Sequence, residues 1–150
     1  MMEGTAQNPM LIDPEMKEIV DSFLLETKEI LENLNVDLIE LEKRPDDLDL
    51  LNQIFRSFHT IKGTSGFLGL EKLPAVTHKC EDILNKLRKG EAKLNSNLMD
   101  GIILGYDTIK ELLVKIENEK NEDVDVDNVI KVLTGLLENM GNVSADENQA

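Results

Sequence analysis

The sequence contains no tryptophan, one tyrosine, one cysteine and few basic residues for its length. A single cysteine excludes an intramolecular disulfide framework. Aromatic residues make up only 3% of the 150 residues, so the core must come from the aliphatic side chains that raise the hydrophobic share to 41%. No apolar run approaches the roughly 20 residues that a membrane-spanning helix needs, and the first residues lack the pattern of a signal peptide. We therefore expect a cytoplasmic domain that makes no contact with a membrane.

Positive charge is scarce overall but concentrated in one window. The chain has 16 basic and 30 acidic residues, a net charge of −14, which disfavours binding to the phosphates of nucleic acids. Residues 54–93 reverse this balance with eight basic and four acidic side chains, while the rest of the chain carries a net charge of −18. Both histidines, the only cysteine and a cluster of glycines lie in the same window. A site that handles an anionic group is expected here.

Apolar residues recur at steps of three and four along every long segment, and no segment alternates as a strand does. The pattern predicts helices at about 14–43, 47–69, 71–89, 96–117 and 126–140. Short connections favour an all-α fold over residues 13–140, an up-and-down antiparallel four-helix bundle with an additional C-terminal helix. The inward stripe of the first helix includes Ile19. Polar composition predicts a disordered N-terminus at 1–12 and a disordered tail or start of a linker at 141–150.

The second predicted helix contains three glycines, although each interior glycine costs a helix roughly 1 kcal/mol relative to alanine. At about 100° per residue, one stripe beside the apolar face collects His59, Lys62, Gly63 and Gly66. This stripe presents a histidine, a lysine one turn later, and a floor without side chains that another backbone can approach closely. Two interpretations are open. The glycines allow a neighbouring helix of the bundle to pack tightly, or they make room for a docking protein beside a nucleophilic histidine.

Residues 54–69 read Ile-Phe-Arg-Ser-Phe-His-Thr-Ile-Lys-Gly-Thr-Ser-Gly-Phe-Leu-Gly. This run resembles the signature of histidine-containing phosphotransfer (HPt) domains, a family of helical bundles with one extra helix. The resemblance covers about residues 13–140 and is greatest to the phosphotransfer domains of CheA-type chemotaxis kinases. It implies that His59 is the phosphoacceptor and that Lys62 and Gly63 complete the motif.

The resemblance also implies that His78 and Glu81, on the following helix, organise the phosphoacceptor. A hydrogen bond from Nδ1 of His59 to Glu81 leaves Nε2 as the nucleophile, in the way that a carboxylate orients the histidine of a catalytic triad. Lys62 lies one turn from His59, where its ammonium offsets the charge of a transferred phosphoryl group. His78 precedes Glu81 by three residues, a spacing at which it can hold the carboxylate.

The function implied by the resemblance is that of a phosphocarrier in two-component chemotaxis signalling. His59 would receive a phosphoryl group from ATP through a separate CheA kinase domain and pass it to an aspartate in the receiver domain of a response regulator, of the CheY or CheB type. ATP and Mg²⁺ are used by the partner kinase domain, so neither a kinase active site nor a cofactor site is expected in this chain. Two alternatives stay open: an HPt domain of a multistep phosphorelay or hybrid kinase, and a helical-bundle adaptor that carries no phosphate.

Metal binding is the competing interpretation for the set His59, His78, Cys80 and Glu81. Residues 78 and 80 point to nearly opposite sides of one helix, and Cys80 belongs to the inward stripe. The set therefore lacks the spacing of zinc ligands, and we expect no metal site.

Overall fold

The computed structural model describes the backbone of residues 6–149 and the side chains of residues 6–140. Over these residues the chain is all-helical. The elements in order are α1 (Pro9–Ile12), a 3-10 turn (Pro14–Met16), α2 (Lys17–Lys43), α3 (Leu48–Phe67), α4 (Lys72–Arg88), α5 (Ser96–Glu119) and α6 (Asp127–Gln149).

Helices α2 to α5 form the four-helix bundle that the sequence predicts. Each contacts the next along the chain, and α2 also contacts α5, so the ring closes. The pairing of Lys28 with Glu117 and of Leu31 with Tyr106 shows that α2 and α5 run antiparallel. Helix α6 packs outside the ring against α4 and α5. The prediction of a bundle with an additional C-terminal helix is confirmed.

An aliphatic core fills the bundle, with few aromatic rings. In α3 the residues Ile54, Phe58 and Ile61 are completely buried, at the steps of four and three that place side chains on one helix face. The single tyrosine, Tyr106, donates a hydrogen bond from its hydroxyl to the Leu31 carbonyl at 2.9 Å. Burying its ring therefore leaves no unpaired hydroxyl in the core.

Polar caps set the helix boundaries close to the predicted ones. The Asp47 carboxylate accepts a hydrogen bond from the Leu50 amide at the start of α3, and the Asn95 side chain accepts one from the Leu98 amide at the start of α5. Such caps satisfy amides that have no partner inside the helix. After α3 and α4 the chain turns at Gly69 and Gly90, both with φ of +74°, a conformation that glycine adopts without strain.

The two ends of the chain differ from the sequence-based expectation. The predicted disordered segment 1–12 includes α1, which buries Leu11 and begins with an Asn8 side-chain cap. The Asn8 amide also donates to the Lys120 carbonyl at 2.7 Å, which ties the segment to the end of α5. At the other end α6 continues to Gln149 instead of ending at 140, in a stretch without proline. Residues 1–5 and 150 lie outside the described backbone.

The carboxylate of Glu122 holds the acidic connection between α5 and α6 to the start of α4. Both oxygens of Glu122 accept hydrogen bonds from the first amides of α4, at 2.8 Å from Glu71, 3.2 Å from Lys72 and 2.7 Å from Leu73. The Lys72 ammonium in turn donates to the Val124 carbonyl at 2.8 Å. A negative charge at a helix N-terminus satisfies free amides and complements the helix dipole.

Candidate functional site

Three ionisable side chains, His59, Lys62 and Glu81, form a cluster between α3 and α4. Nδ1 of His59 donates a hydrogen bond to Oε2 of Glu81. The two side chains differ sharply in exposure, 60% for the histidine and 7% for the glutamate. A buried acceptor therefore holds one nitrogen of an exposed ring, and Nε2, on the other edge of the ring, keeps its lone pair for other partners.

The second oxygen of the same carboxylate is paired with Lys62. Its Nζ lies 2.6 Å from Glu81 Oε1, and the lysine side chain is 31% exposed. His59 and Lys62 are three residues apart on α3, so one carboxylate on the facing helix reaches both. The sequence placed Lys62 beside His59 but gave no sign that Glu81 engages it.

Glu81 is ionised although it is buried. Burial opposes the charged form, but the hydrogen bonds and charges of Lys62 and His59 outweigh it, so the pKa of Glu81 lies below its ordinary value. An ionised carboxylate accepts hydrogen bonds only, which requires the proton of the neutral imidazole to be on Nδ1.

His78 is not part of this cluster. Its Nε2 lies 3.5 Å from Asp82 Oδ1, one turn further along α4, and both side chains are largely exposed. The expectation that His78 supports Glu81 is therefore corrected. Glu81 projects inward between α3 and α4, whereas His78 lies on the solvent side of α4.

Gly63 and Gly66 face open space. A Cβ built at either position meets no neighbouring atom within 4 Å, which rules out the interpretation that they allow close packing inside this bundle. Beside them a groove of about 570 Å³ runs between α2 and α3. Its walls include His59, Ile19 and Phe67.

The groove also exposes large apolar side chains. Phe67 is 69% exposed and Ile19 is 45% exposed. Ile19 was expected in the core, but its neighbour Val20 takes the buried position, because α2 turns a slightly different face toward the bundle than its apolar spacing indicates. An apolar surface thus adjoins the exposed imidazole.

Two residues near His59 were missed as parts of the site. Phe55 is only half-buried, and its ring stacks on the His59 ring. The guanidinium of Arg88 lies over the Phe55 ring. The i to i+4 spacing of Phe55 and His59 was the available signal for the first contact. No signal in the sequence showed the second.

Cys80 is a core residue. It is completely buried, which raises the pKa of its thiol to about 12, and it packs against Gly105 of α5. Within residues 6–140 no three histidine, cysteine or acidic side chains lie close enough to hold a metal ion. That the protein uses no metal stays a prediction. Among the described helices, none combines the length and the hydropathy needed to cross a membrane.

Comparison with protein families gives one match, the Hpt domain, over residues 18–143. Among known proteins, the sensor histidine kinase CheAY of Helicobacter pylori is 50% identical over 104 residues, which cover 69% of this chain and 13% of that protein. The chain spans less than a fifth of the length of the curated relatives that it matches.

Solved structures with the same fold include two phosphotransfer domains. The solution structure of the histidine phosphotransfer domain of CheA aligns with a TM-score of 0.74 and 39% identity, covering 81% of this chain and 92% of that one. The phosphorylated P1 domain of CheA3 from R. sphaeroides, solved in complex with CheY6, aligns with a TM-score of 0.74 at 21% identity, covering 82% of this chain and 98% of that one. The second likeness, at this identity, is one of fold alone.

Proposed function

This chain belongs to the Hpt domain family, and from that membership we propose that it is the phosphocarrier domain of a CheA-type chemotaxis histidine kinase. His59 accepts a phosphoryl group and passes it to an aspartate of a response regulator. The observation that carries the proposal is the exposed imidazole whose Nδ1 is bound by a buried, ionised Glu81. This arrangement leaves a single nitrogen able to act as a nucleophile.

The first transfer forms one bond and breaks another. Nε2 of His59 attacks the γ-phosphorus of ATP, the bond between that phosphorus and the bridging oxygen breaks, and ADP leaves with the electron pair. The Nδ1 proton stays on the ring, shared with Glu81, so the ring carries the phosphoryl group without needing another base. ATP and Mg²⁺ are bound by the partner kinase domain, and the bundle contributes only the acceptor.

Lys62 stabilises the phosphorylated state. In the free domain its ammonium is paired with Glu81 and is still partly exposed. A phosphoryl group on Nε2 carries nearly two negative charges. The lysine, one turn away on the same helix, offsets part of that charge while Glu81 keeps its bond to the ring.

The groove beside His59 is the docking surface for the receiver domain. Gly63 leaves part of its α3 side without a side chain, Gly66 lies further along the same exposed stripe of α3, and Phe67 and Ile19 add apolar area. The P1 domain of CheA3, which shares the fold, was solved with CheY6, which supports a receiver of the CheY type as partner. Receivers of the CheB type and the cytoplasm as location belong to the same proposal. The likeness to CheA domains favours this function over a phosphorelay domain or a phosphate-free adaptor.

Replacing each histidine in turn tests the proposal. With a CheA kinase core and radioactive ATP, His59→Gln is expected to fold and to take up no acid-labile phosphate. His78→Gln is the matched control, because it removes an equally exposed imidazole that is paired with Asp82, and it is expected to label like the wild type. Acid-labile label retained on His59→Gln would contradict the assignment.

A further inference from the structure

The His59 ring is held on its face as well as at its edge. The Phe55 ring stacks on it with centroids 5.9 Å apart and planes inclined by 16°. On Phe55, in turn, lies the guanidinium of Arg88, whose Cζ is 3.9 Å from the ring centroid. The three groups form a continuous stack from α4 across to the exposed imidazole.

Hydrogen bonds to both helices hold the guanidinium in place. Nε of Arg88 donates to the Asn85 side-chain carbonyl at 2.9 Å, and Nη1 donates to that of Asn52 at 3.3 Å. Asn85 lies on α4 and Asn52 on α3, so the arginine bridges the two helices. A planar guanidinium fixed in this way presents a flat face to the ring, which a flexible ammonium does not.

The bridge and the candidate phosphoacceptor site belong to one seam. Asn52 and His59 are separated on α3 by about two helical turns, as are Glu81 and Arg88 on the antiparallel α4. The Asn52–Arg88 contact therefore repeats the His59–Glu81 contact two turns away, and Phe55 fills the turn between them.

We propose that Phe55 and Arg88 are positioning residues that set the plane of the His59 ring for phosphoryl transfer. The inference rests on the proposed function of His59. A single hydrogen bond at Nδ1 fixes one edge of the ring but lets the ring rotate about that bond, and a side chain that is 60% exposed has little other packing. Stacking on Phe55 restricts this rotation. It therefore aims the Nε2 lone pair, on which in-line attack at phosphorus depends.

The kinetic test uses paired variants in the same kinase assay. Phe55→Leu removes the ring face and Arg88→Ala removes the cation above it. From the strength of such contacts we expect each to slow phosphorylation by about three- to tenfold. Phe55→Tyr keeps the ring and is expected to stay near the wild-type rate. Lys89→Ala removes a charge from the same end of α4 without touching the stack, and it too is expected to leave the rate unchanged.

A spectroscopic readout separates positioning from a loss of fold. In proton NMR spectra, the His59 ring protons are expected to lose the ring-current shift from Phe55 in Phe55→Leu, and part of it in Arg88→Ala. The His78 ring protons serve as the internal reference and are expected to stay in place. Arg88→Lys, which keeps the charge but not the planar fork, is expected to fall between Arg88→Ala and the wild type in both measurements.

The outcomes are distinct. Wild-type rates in Phe55→Leu and Arg88→Ala would overturn the positioning role, and so would a Lys89→Ala rate as low as that of Arg88→Ala, since charge alone would then explain the loss. A loss of rate with unchanged His59 proton shifts would also overturn it. If the wild-type chain itself takes up no phosphate, the proposed function fails. The NMR shifts would then still show whether the stack exists.

Discussion

Two pairs of helical glycines do opposite things in this protein. Gly63 and Gly66 in α3 border open space, whereas Gly101 and Gly105 in α5 are buried where other helices cross. A Cβ on Gly105 would lie 2.3 Å from Cys80 Sγ, and one on Gly101 would lie 2.3 Å from Leu136 Cδ1. Both pairs lower helix propensity by similar amounts. Only in α5 is the lost helix propensity offset by close packing inside the domain. For the α3 pair, the proposed docking of a receiver domain would supply the reason.

The largest effect on the free energy of unfolding is expected at Gly105, where the helices pack tightly. Gly105→Ala should lower the free energy of unfolding by about 1–3 kcal/mol, because the buried Cys80 sulfur cannot move far and the helices must separate. Urea denaturation measures this. Adding Cys80→Ala removes the sulfur and should restore most of the loss, as a double-mutant cycle would show. Gly101→Ala should cost less, since the Leu136 side chain can turn away. Equal losses with and without Cys80 would contradict the packing account.

The pH dependence of stability should distinguish the Glu81 site from the packing at Gly105. The pKa of Glu81 lies below its ordinary value, so its ionised form contributes stability above pH 4.3 or so, and this is lost as the pH falls through the folded-state pKa. Glu81→Gln should therefore cost about 1–2 kcal/mol at pH 7 and progressively less below about pH 4. The deficit of Gly105→Ala should be the same at both pH values, because Cys80, with a pKa of about 12, stays neutral. Urea denaturation at pH 7 and below about pH 4 tests this. A loss of stability in Glu81→Gln that is the same at both pH values would contradict it.

The smallest effect on stability is expected at the open pair, with the opposite sign. Gly63→Ala should raise the free energy of unfolding by about 0.5–1 kcal/mol, since the helix gains propensity and the added methyl meets nothing. The same variant should slow phosphoryl transfer to a receiver if docking needs the surface of α3 that lacks side chains at Gly63 and Gly66. Thermal unfolding and single-turnover transfer measure the two effects. A stabilised variant that transfers phosphate at the wild-type rate would show that the α3 surface at Gly63 and Gly66 is not a docking surface.

Periodicity was enough to predict the helices and their bundle, and the resemblance to HPt domains implied the pairing of His59 with Glu81. The helices and the bundle depend on which face of a helix a residue occupies, and spacing along one helix determines that face. The rest depends on the register between helices. Arg88 reaches Phe55 only because α3 and α4 meet at a particular offset, and the close approach at Gly105 only exists because α4 crosses α5 there. His78 was misplaced because its spacing from Glu81 does not show that Glu81 turns inward while His78 stays exposed.

The clamp at Glu122 has a mechanical consequence. It couples the segment that leads into α6 to the first turn of α4, the helix that also carries Glu81. The Glu122 side chain therefore connects the segment before α6 to three backbone amides at the start of α4. Movement of this segment would therefore be transmitted to the helix that places Glu81 beside His59.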